Sequence, residues 1–523
     1  MSITYQSAIP STMQANDHPY LNGAWTPLRE EVNASELEVI GQIPHDIDGV
    51  YLRNTENQIQ QPLGRYHPFE GDGMLHMISL RDGRAEYRNR IVPTSGFLAE
   101  QEAGQALWAG LMESPKKSLR PGVGMQGHLK DASSTDVVVH GGLALSTFYQ
   151  CGTAYQFDPF TLEFKGCAPW VPVGQGISAH CKTDSATGEL LFFNYGPTAP
   201  YLNYGVVNAA GQLTHYTPID LPGARLPHDM AFSKNYVIFN DLPMFADPEL
   251  AARNIHAVRF YPQMRSRFGV LARNAPGNEI RWFEAEPTYI LHFLNAYEEG
   301  DELILDGYFQ EEPMPKGSSE YGPEVAPEYA RMMAFLDQHA FLPKLHRWIF
   351  NLKTGTTREM QMDPRILEFG TFNQDYAGRK NRYVYSAVPK PGWFLFTGLI
   401  KHDLVTGSSE EIAFGEQRYG SEAPFAPRIN ARDEDDGYLI SFVTDLVEKR
   451  SECILVDAKN FSAGPVCRII LPHQICSGTH ACWADGAAVR ADQAKYASAA
   501  PTKAPANAAA NTAANAPANT AAA

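Results

Sequence analysis

Short apolar runs, each closed by a turn signal, recur along most of this chain. Residues 74–80 form one such run, and residues 85–92 form the next. Between them lies Arg81-Asp82-Gly83-Arg84, where Asp-Gly is a strong hairpin signal. Residues 137–140 and 143–148 flank Gly141-Gly142 in the same way. The pattern continues at 190–195, 236–240, 303–306, 382–388, 438–443 and 453–457. Upstream, 38–44 and 49–54 read as two more short strands. Strands of this kind at regular spacing predict an all-β fold: a sandwich, a barrel or a propeller. Residues 31–485 would overfill one sandwich or small barrel, so the length favours a propeller.

Two stretches break the strand pattern. Over 97–112, Leu98, Ala103, Ala106, Leu107 and Leu111 recur near helical spacing, which predicts one amphipathic helix. A second helical interlude is predicted over 324–342 and reads as an insertion carried on the scaffold. The ends differ again. Residues 1–30 are polar and punctuated by proline, and read as an irregular arm. Residues 486–523 become Ala, Pro, Asn and Thr in repetition, a composition that cannot bury a core and predicts a disordered tail.

Charge and cysteine usage narrow the function classes. Lys plus Arg is 43 against 59 for Asp plus Glu, a net charge of −16. That balance argues against a nucleic-acid partner, which needs a basic face. The seven cysteines show no Cys-x-x-Cys spacing and no zinc-finger pattern, so they read as reduced thiols of a cytoplasmic protein. The first residues lack the basic and apolar regions of a secretory signal.

Histidines carry the candidate chemistry. Four of the 16 sit in distinctive contexts: His180 in Ser178-Ala179-His180-Cys181-Lys182-Thr183-Asp184, His228 in Pro227-His228-Asp229, His292 in Ile290-Leu291-His292-Phe293-Leu294-Asn295, and His480 in Gly478-Thr479-His480-Ala481-Cys482. Four neutral imidazoles with no carboxylate beside them would suit Zn, Cu, Fe or Ni. A structural zinc site would use Cys at close spacing, whereas these residues are scattered across the fold, which suits a site on the axis of a closed β scaffold. A ligating imidazole needs its other ring nitrogen held, usually by a carboxylate. Glu368 and Glu422, acids in otherwise apolar or turn-rich stretches, are the candidates. His67 and His76 read as scaffold residues.

Taken together, these contexts resemble the carotenoid cleavage oxygenase family, over residues 30 to about 485. Gly49-Val50-Tyr51-Leu52-Arg53-Asn54 and Tyr66-His67-Pro68-Phe69-Glu70-Gly71-Asp72-Gly73-Met74-Leu75-His76 resemble two family signatures. The four histidine segments resemble its iron-binding segments, with Cys181 where proline is usual. The resemblance implies a seven-bladed β-propeller with Fe(2+) on its axis, under a dome of helices and loops that encloses a hydrophobic tunnel. Glu368 and Glu422 resemble two of three glutamates expected behind the histidines. The third position, after Leu143-Ala144-Leu145, holds no acid, and Thr147, Tyr149 or Gln150 takes its place.

The implied reaction is oxidative cleavage of one alkene C=C bond by O2 to two carbonyl products. The implied substrate is apolar, a carotenoid or apocarotenoid, and such a substrate brings with it a peripheral membrane contact. A stilbenoid or phenylpropenyl phenol is the alternative, although Ile91 stands where that branch places a tyrosine and no lysine lies near Leu145. An isomerase and a metal-free propeller acting as an interaction platform are further readings. By their place beside the motifs, Phe69, Phe148, Tyr149 and Phe293 are the candidate tunnel residues.

Overall fold

The computed structural model describes residues 1–122, 129–247, 249–250, 258–317 and 325–499. Seven antiparallel sheets surround one axis as the blades of a β-propeller. A typical blade runs outward in chain order: Lys182–Asp184, Glu189–Tyr195, Leu202–Val207 and Leu213–Ile219. Its two middle strands are nearly all buried, because both of their faces pack against neighbouring blades. The outer strand alternates with solvent instead. Large apolar side chains fill the clefts between blades, for example Phe193, Tyr204, Phe239 and Tyr308 in one continuous cluster.

Both ends of the chain close the ring. Gly478–Asp485, near the C-terminus, is the innermost strand of a blade otherwise built from N-terminal strands, and it pairs with Gly49–Asn57. In return, Val39–Gly41 pairs with Pro465–Ile470 at the outer edge of the adjacent blade. A ring closed twice in this way leaves no blade free to peel away.

The architecture follows the strand pattern closely; the differences lie where local signals compete. The helix expected over 97–112 covers only Ser95–Ala103. Thr94 caps its start by accepting from Phe97 N, and Gly104 stops it at a left-handed φ of 63°. The apolar residues beyond, Ala106 and Leu107, are buried in irregular chain. The insertion expected at 324–342 is two short helices, Pro327–Ala334 and Gln338–Phe341, separated where Asp337 caps the second; residue 324 lies outside the described residues. The arm is not wholly irregular, since Ser2–Ala8 pairs with Glu30–Ser35 as an outermost strand. The tail begins as an α-helix, Gly486–Ala499, and residues 500–523 lie outside the described residues. Alanine is the strongest helix former, and this helix gains tertiary anchors in buried Val489 and the Arg490–Asp48 ion pair at 2.5 Å. No described helix is long and apolar enough to cross a membrane.

One face of the ring is covered by Pro19–Leu21, Gly23–Trp25 and the two short helices of the insertion. Tyr20, Trp25, Met332 and Met333 from these segments pack in one cluster with Phe369, Phe394 and Phe396 of the blades.

Candidate metal centre

Seven innermost strands meet at the axis, and each brings one polar side chain to its upper end. Asp136, Glu368 and His480 lie within their strands, Asp136–His140, Glu368–Thr371 and Gly478–Asp485. His180, His228, His292 and Glu422 lie just before theirs, which begin at Lys182, Ala231, Phe293 and Phe425. The result is a ring of four imidazoles and three carboxylates, one from each blade. Local backbone irregularities aim them. His180 sits at φ 62°, a conformation an L-residue adopts only when its surroundings enforce it. Register shifts bracket His480, between Gly478 and Ala481, and follow Glu368, between Glu368 and Thr371. Bulges of this kind re-aim side chains beside functional sites.

The imidazoles converge. His180 Nε2 and His228 Nε2 are 3.2 Å apart, and a ring nitrogen of His292 joins them within 4.8 Å. The His480 ring centroid lies 4.5 Å from that of His180 and 4.7 Å from that of His292. Carboxylates hold the outer nitrogens: His292 Nδ1 meets Glu368 Oε2 at 2.6 Å, and His480 Nδ1 meets Glu422 Oε2 at 3.3 Å. Glu422 also accepts from Ala481 N at 2.7 Å, which fixes it in place. Asp136, which the sequence reading passed over as a strand end, accepts from His180 N at 3.0 Å and stands 3.7 Å from His180 Nδ1. Thr147 and Gln150 form no hydrogen bond to an imidazole among the described residues; Thr147 pairs with Asp136 across the strands, and Gln150 reaches the Tyr149 hydroxyl. Tyr149 is the neighbour of His228, ring to ring at 6.1 Å.

Electrostatics favour neutral rings. Burial, reinforced by the other imidazoles, holds the pKa of His180 and of His228 well below the usual value. Burial and the His480 charge bring His292 down to about 3. His480 is the exception: burial lowers it, but Glu422 and Asp136 outweigh that and raise it. Burial also pushes Glu368 up to about 8. Neutral imidazole is the form that binds a metal ion. The residues fit such an ion on a direct observation, since His292 Nε2 is buried, points to the centre and has no hydrogen-bond partner among the described residues. A spacing near 3 Å between the His180 and His228 nitrogens suits adjacent donors about 2 Å from one ion.

Aromatic rings form the wall on the covered side. Phe369 stacks on His480 at 4.7 Å and 17°, and reaches His292 at 4.9 Å. Phe394 packs on Phe369 at 5.6 Å, and Phe69 on Phe394 at 5.0 Å. Of the four expected tunnel residues, Phe69 joins this wall and Tyr149 flanks His228. Phe148 packs beside Tyr149 at 5.0 Å, while Phe293 turns into the blade core against Phe268 at 6.3 Å. His76 is bonded to Tyr87 and Thr55, and His67 caps a turn by accepting from Phe69 N, away from the centre.

The carboxylate behind His292 has a measurable consequence. Glu368→Gln keeps the size and an acceptor but removes the ionisable carboxyl. It is expected to weaken metal binding about 10–100-fold with little change in fold. Titration of chelator-treated protein with a divalent metal checks this, and an unchanged affinity would reduce Glu368 to packing.

Residues 25–485 match the family described as retinal pigment epithelial membrane protein. Carotenoid 9,10(9′,10′)-cleavage dioxygenase 1 of Pisum sativum is 32% identical over 515 residues, covering 92% of this chain and 91% of the relative. Isoeugenol monooxygenase of Pseudomonas nitroreducens is 30% identical over 490 residues, covering 90% of this chain and 98% of the relative. Among solved structures, the lignostilbene dioxygenase of Pseudomonas brassicacearum aligns with a TM-score of 0.76 at 25% identity, covering 92% of this chain and 100% of that one.

Proposed function

The chain belongs to the retinal pigment epithelial membrane protein family, the carotenoid cleavage oxygenases, and on that premise we propose that it cleaves one C=C bond of a carotenoid or apocarotenoid with O2. The observation that carries this reading is the convergence of the His180, His228 and His292 ring nitrogens from three blades, with the His480 ring from a fourth packed against two of them. His180, His228, His292 and His480 would hold one Fe(2+), with Glu368, Glu422 and Asp136 fixing three of the rings from behind. Bound there, ferrous iron supplies the activation of O2, a task for which the protein's own side chains have no redox chemistry. The balance needs no other reductant: the alkene bond breaks, and each carbonyl product takes one oxygen atom.

The protein's side chains position the alkene and keep water out. Phe69, Phe369 and Phe394 present a continuous apolar surface beside His480 and His292, suited to a flat conjugated chain. Tyr149 closes the side next to His228. Among the described residues, the lysines nearest the centre are already paired rather than free to take up a phenolate. Lys130, on a small cavity with Phe148, is neutralised by Asp72 at 2.9 Å and Glu100 at 2.8 Å. Lys182 is held by Asp229 at 2.7 Å. This favours a polyene over a phenol.

The phenol reading keeps support from the isoeugenol monooxygenase and the lignostilbene dioxygenase, which this chain resembles over nearly its full length. One experiment separates the two. The iron-loaded protein is incubated under 18O2 with apocarotenals, and separately with isoeugenol and hydroxystilbenes. Labelled aldehydes from the apocarotenals alone are expected. Labelled aromatic aldehydes alone would replace the carotenoid reading, and isomerised but unlabelled substrate would overturn cleavage.

A further inference from the structure

Below the histidines, on the side away from the aromatic wall, the inner strands enclose a shaft of about 690 Å³. Its upper end is lined by His180, His292 and His480 and its lower mouth by Asp375 and Asp485, both exposed. The two ends of the centre therefore differ in chemistry. The covered side is Phe69, Phe369 and Phe394, a surface that a hydrated ion crosses only at high cost. The shaft mixes polar side chains, among them Asn295, Asn373 and Thr371, with apolar ones such as Val137, Leu294 and Phe425.

Acids outnumber bases on the shaft: seven carboxylates line it against two lysines, Lys182 and Lys495. Asp375 and Asp485 form no ion pair among the described residues and line the same cavity; burial, and next the Asp485 charge, raise the Asp375 carboxyl above its ordinary value against the pull of Arg379. Two like charges at one opening repel, and a cation passing there relieves that repulsion. At the inner end of the same cavity stands His292 Nε2, more than nine-tenths buried and without a partner. An acidic mouth thus leads to an unpartnered donor of the metal centre.

We propose that this shaft is the entry route for the metal: a hydrated divalent cation is drawn to Asp375 and Asp485 and passes along the shaft, by way of Asn295, Asn373 and Thr371, to His180, His292 and His480. The inference rests on the metal centre put forward above, and its test separates the two. An acidic entrance concentrates cations and speeds their association by roughly 10–10³-fold at low ionic strength, with little effect on the final affinity. Asp485 also caps the following helix by accepting from Ala488 N at 2.8 Å, a bond that Asn preserves. The double variant Asp375→Asn, Asp485→Asn is therefore the probe.

The full chain, stripped with chelator, is mixed with Co(2+) in a stopped-flow instrument, and the visible absorption of imidazole-bound cobalt is followed. Uptake by the double variant is expected to be about tenfold slower at low salt, with the gap closing at high salt and the equilibrium affinity unchanged. The control Glu163→Gln, on an exposed outer strand-turn, is expected to load like the parent. Normal cobalt binding with equal rates in parent and double variant would overturn the route alone, as would an equal slowing in the control. Failure of the parent chain to develop the cobalt–imidazole band at all would overturn the metal centre and the route with it.

Discussion

His292→Ala is expected to abolish cleavage and to strip the protein of metal. His292 links two roles. Its Nε2 faces the centre without a partner, and its Nδ1 meets Glu368 at 2.6 Å. Disturbing a residue behind a ligand already costs about 10–100-fold, so removing the ligand should exceed ~100-fold in affinity. The substitution also leaves Glu368, which is fully buried, without its imidazole. An orphaned buried polar group costs about 1–3 kcal/mol. A companion variant separates the two effects. His292→Ala with Glu368→Leu should recover part of the lost melting temperature but none of the metal. Metal content by elemental analysis and thermal melting are the two readouts. Near-normal metal content in His292→Ala would mean that the other three imidazoles suffice and that His292 is a structural residue.

What could be read in the sequence, and what could not, follows from how each residue reaches the axis. The histidines stand in contexts distinctive enough to be picked out before any fold is known, and Glu368 and Glu422 betray themselves as acids in apolar surroundings. Asp136 gives no such sign. It opens an ordinary strand, and it reaches His180 only because that residue adopts φ 62°, which a strand-and-turn reading does not foresee. Phe293 and Phe369 make the same point. Both lie next to a site residue and at a register shift, but Phe293 points into the blade, whereas Phe369, at the left-handed φ of 52°, turns to His480. Nearness in sequence cannot say which face a side chain takes when a bulge intervenes.

The strand pattern carried the fold because each blade's middle strands are buried on both faces, which leaves apolar runs bounded by turns. The two ends were harder. Gly486–Ala499 reads as low complexity, yet its alanines favour helix, and Val489, Arg490 and Gln493 anchor it to the first strands of the ring. The short helices Ser95–Ala103 and Gln338–Phe341 depend on caps at Thr94 and Asp337 rather than on periodicity, so spacing alone overestimates their length.

Arg53→Ala is expected to be among the most destabilising single changes in the chain. Arg53 is 2% exposed and lies on Gly49–Asn57, directly at the seam where the chain's ends close the ring. It donates to Ser421 Oγ at 3.0 Å and to Cys476 O at 2.8 Å, and its guanidinium lies 5.1 Å from the centre of the Phe442 ring. One side chain therefore ties the N-terminal strands to the residue before Glu422 and to the loop that leads to His480. Truncation to alanine opens a cavity and leaves two buried acceptors unmet, together about 3–5 kcal/mol. Arg53→Met separates the parts: it refills the space and removes a costly buried charge, so it should lose less than alanine does. Both variants free the segment that carries Glu422, so both should also weaken metal binding, and this second effect should not scale with the first. Melting temperature and metal affinity, measured on the two variants side by side, test the argument. If Arg53→Ala melts with the parent, the strand pairing of Gly478–Asp485 with Gly49–Asn57 closes the ring unaided. If both variants lose stability but bind metal as tightly as the parent, the seam and the centre are mechanically independent.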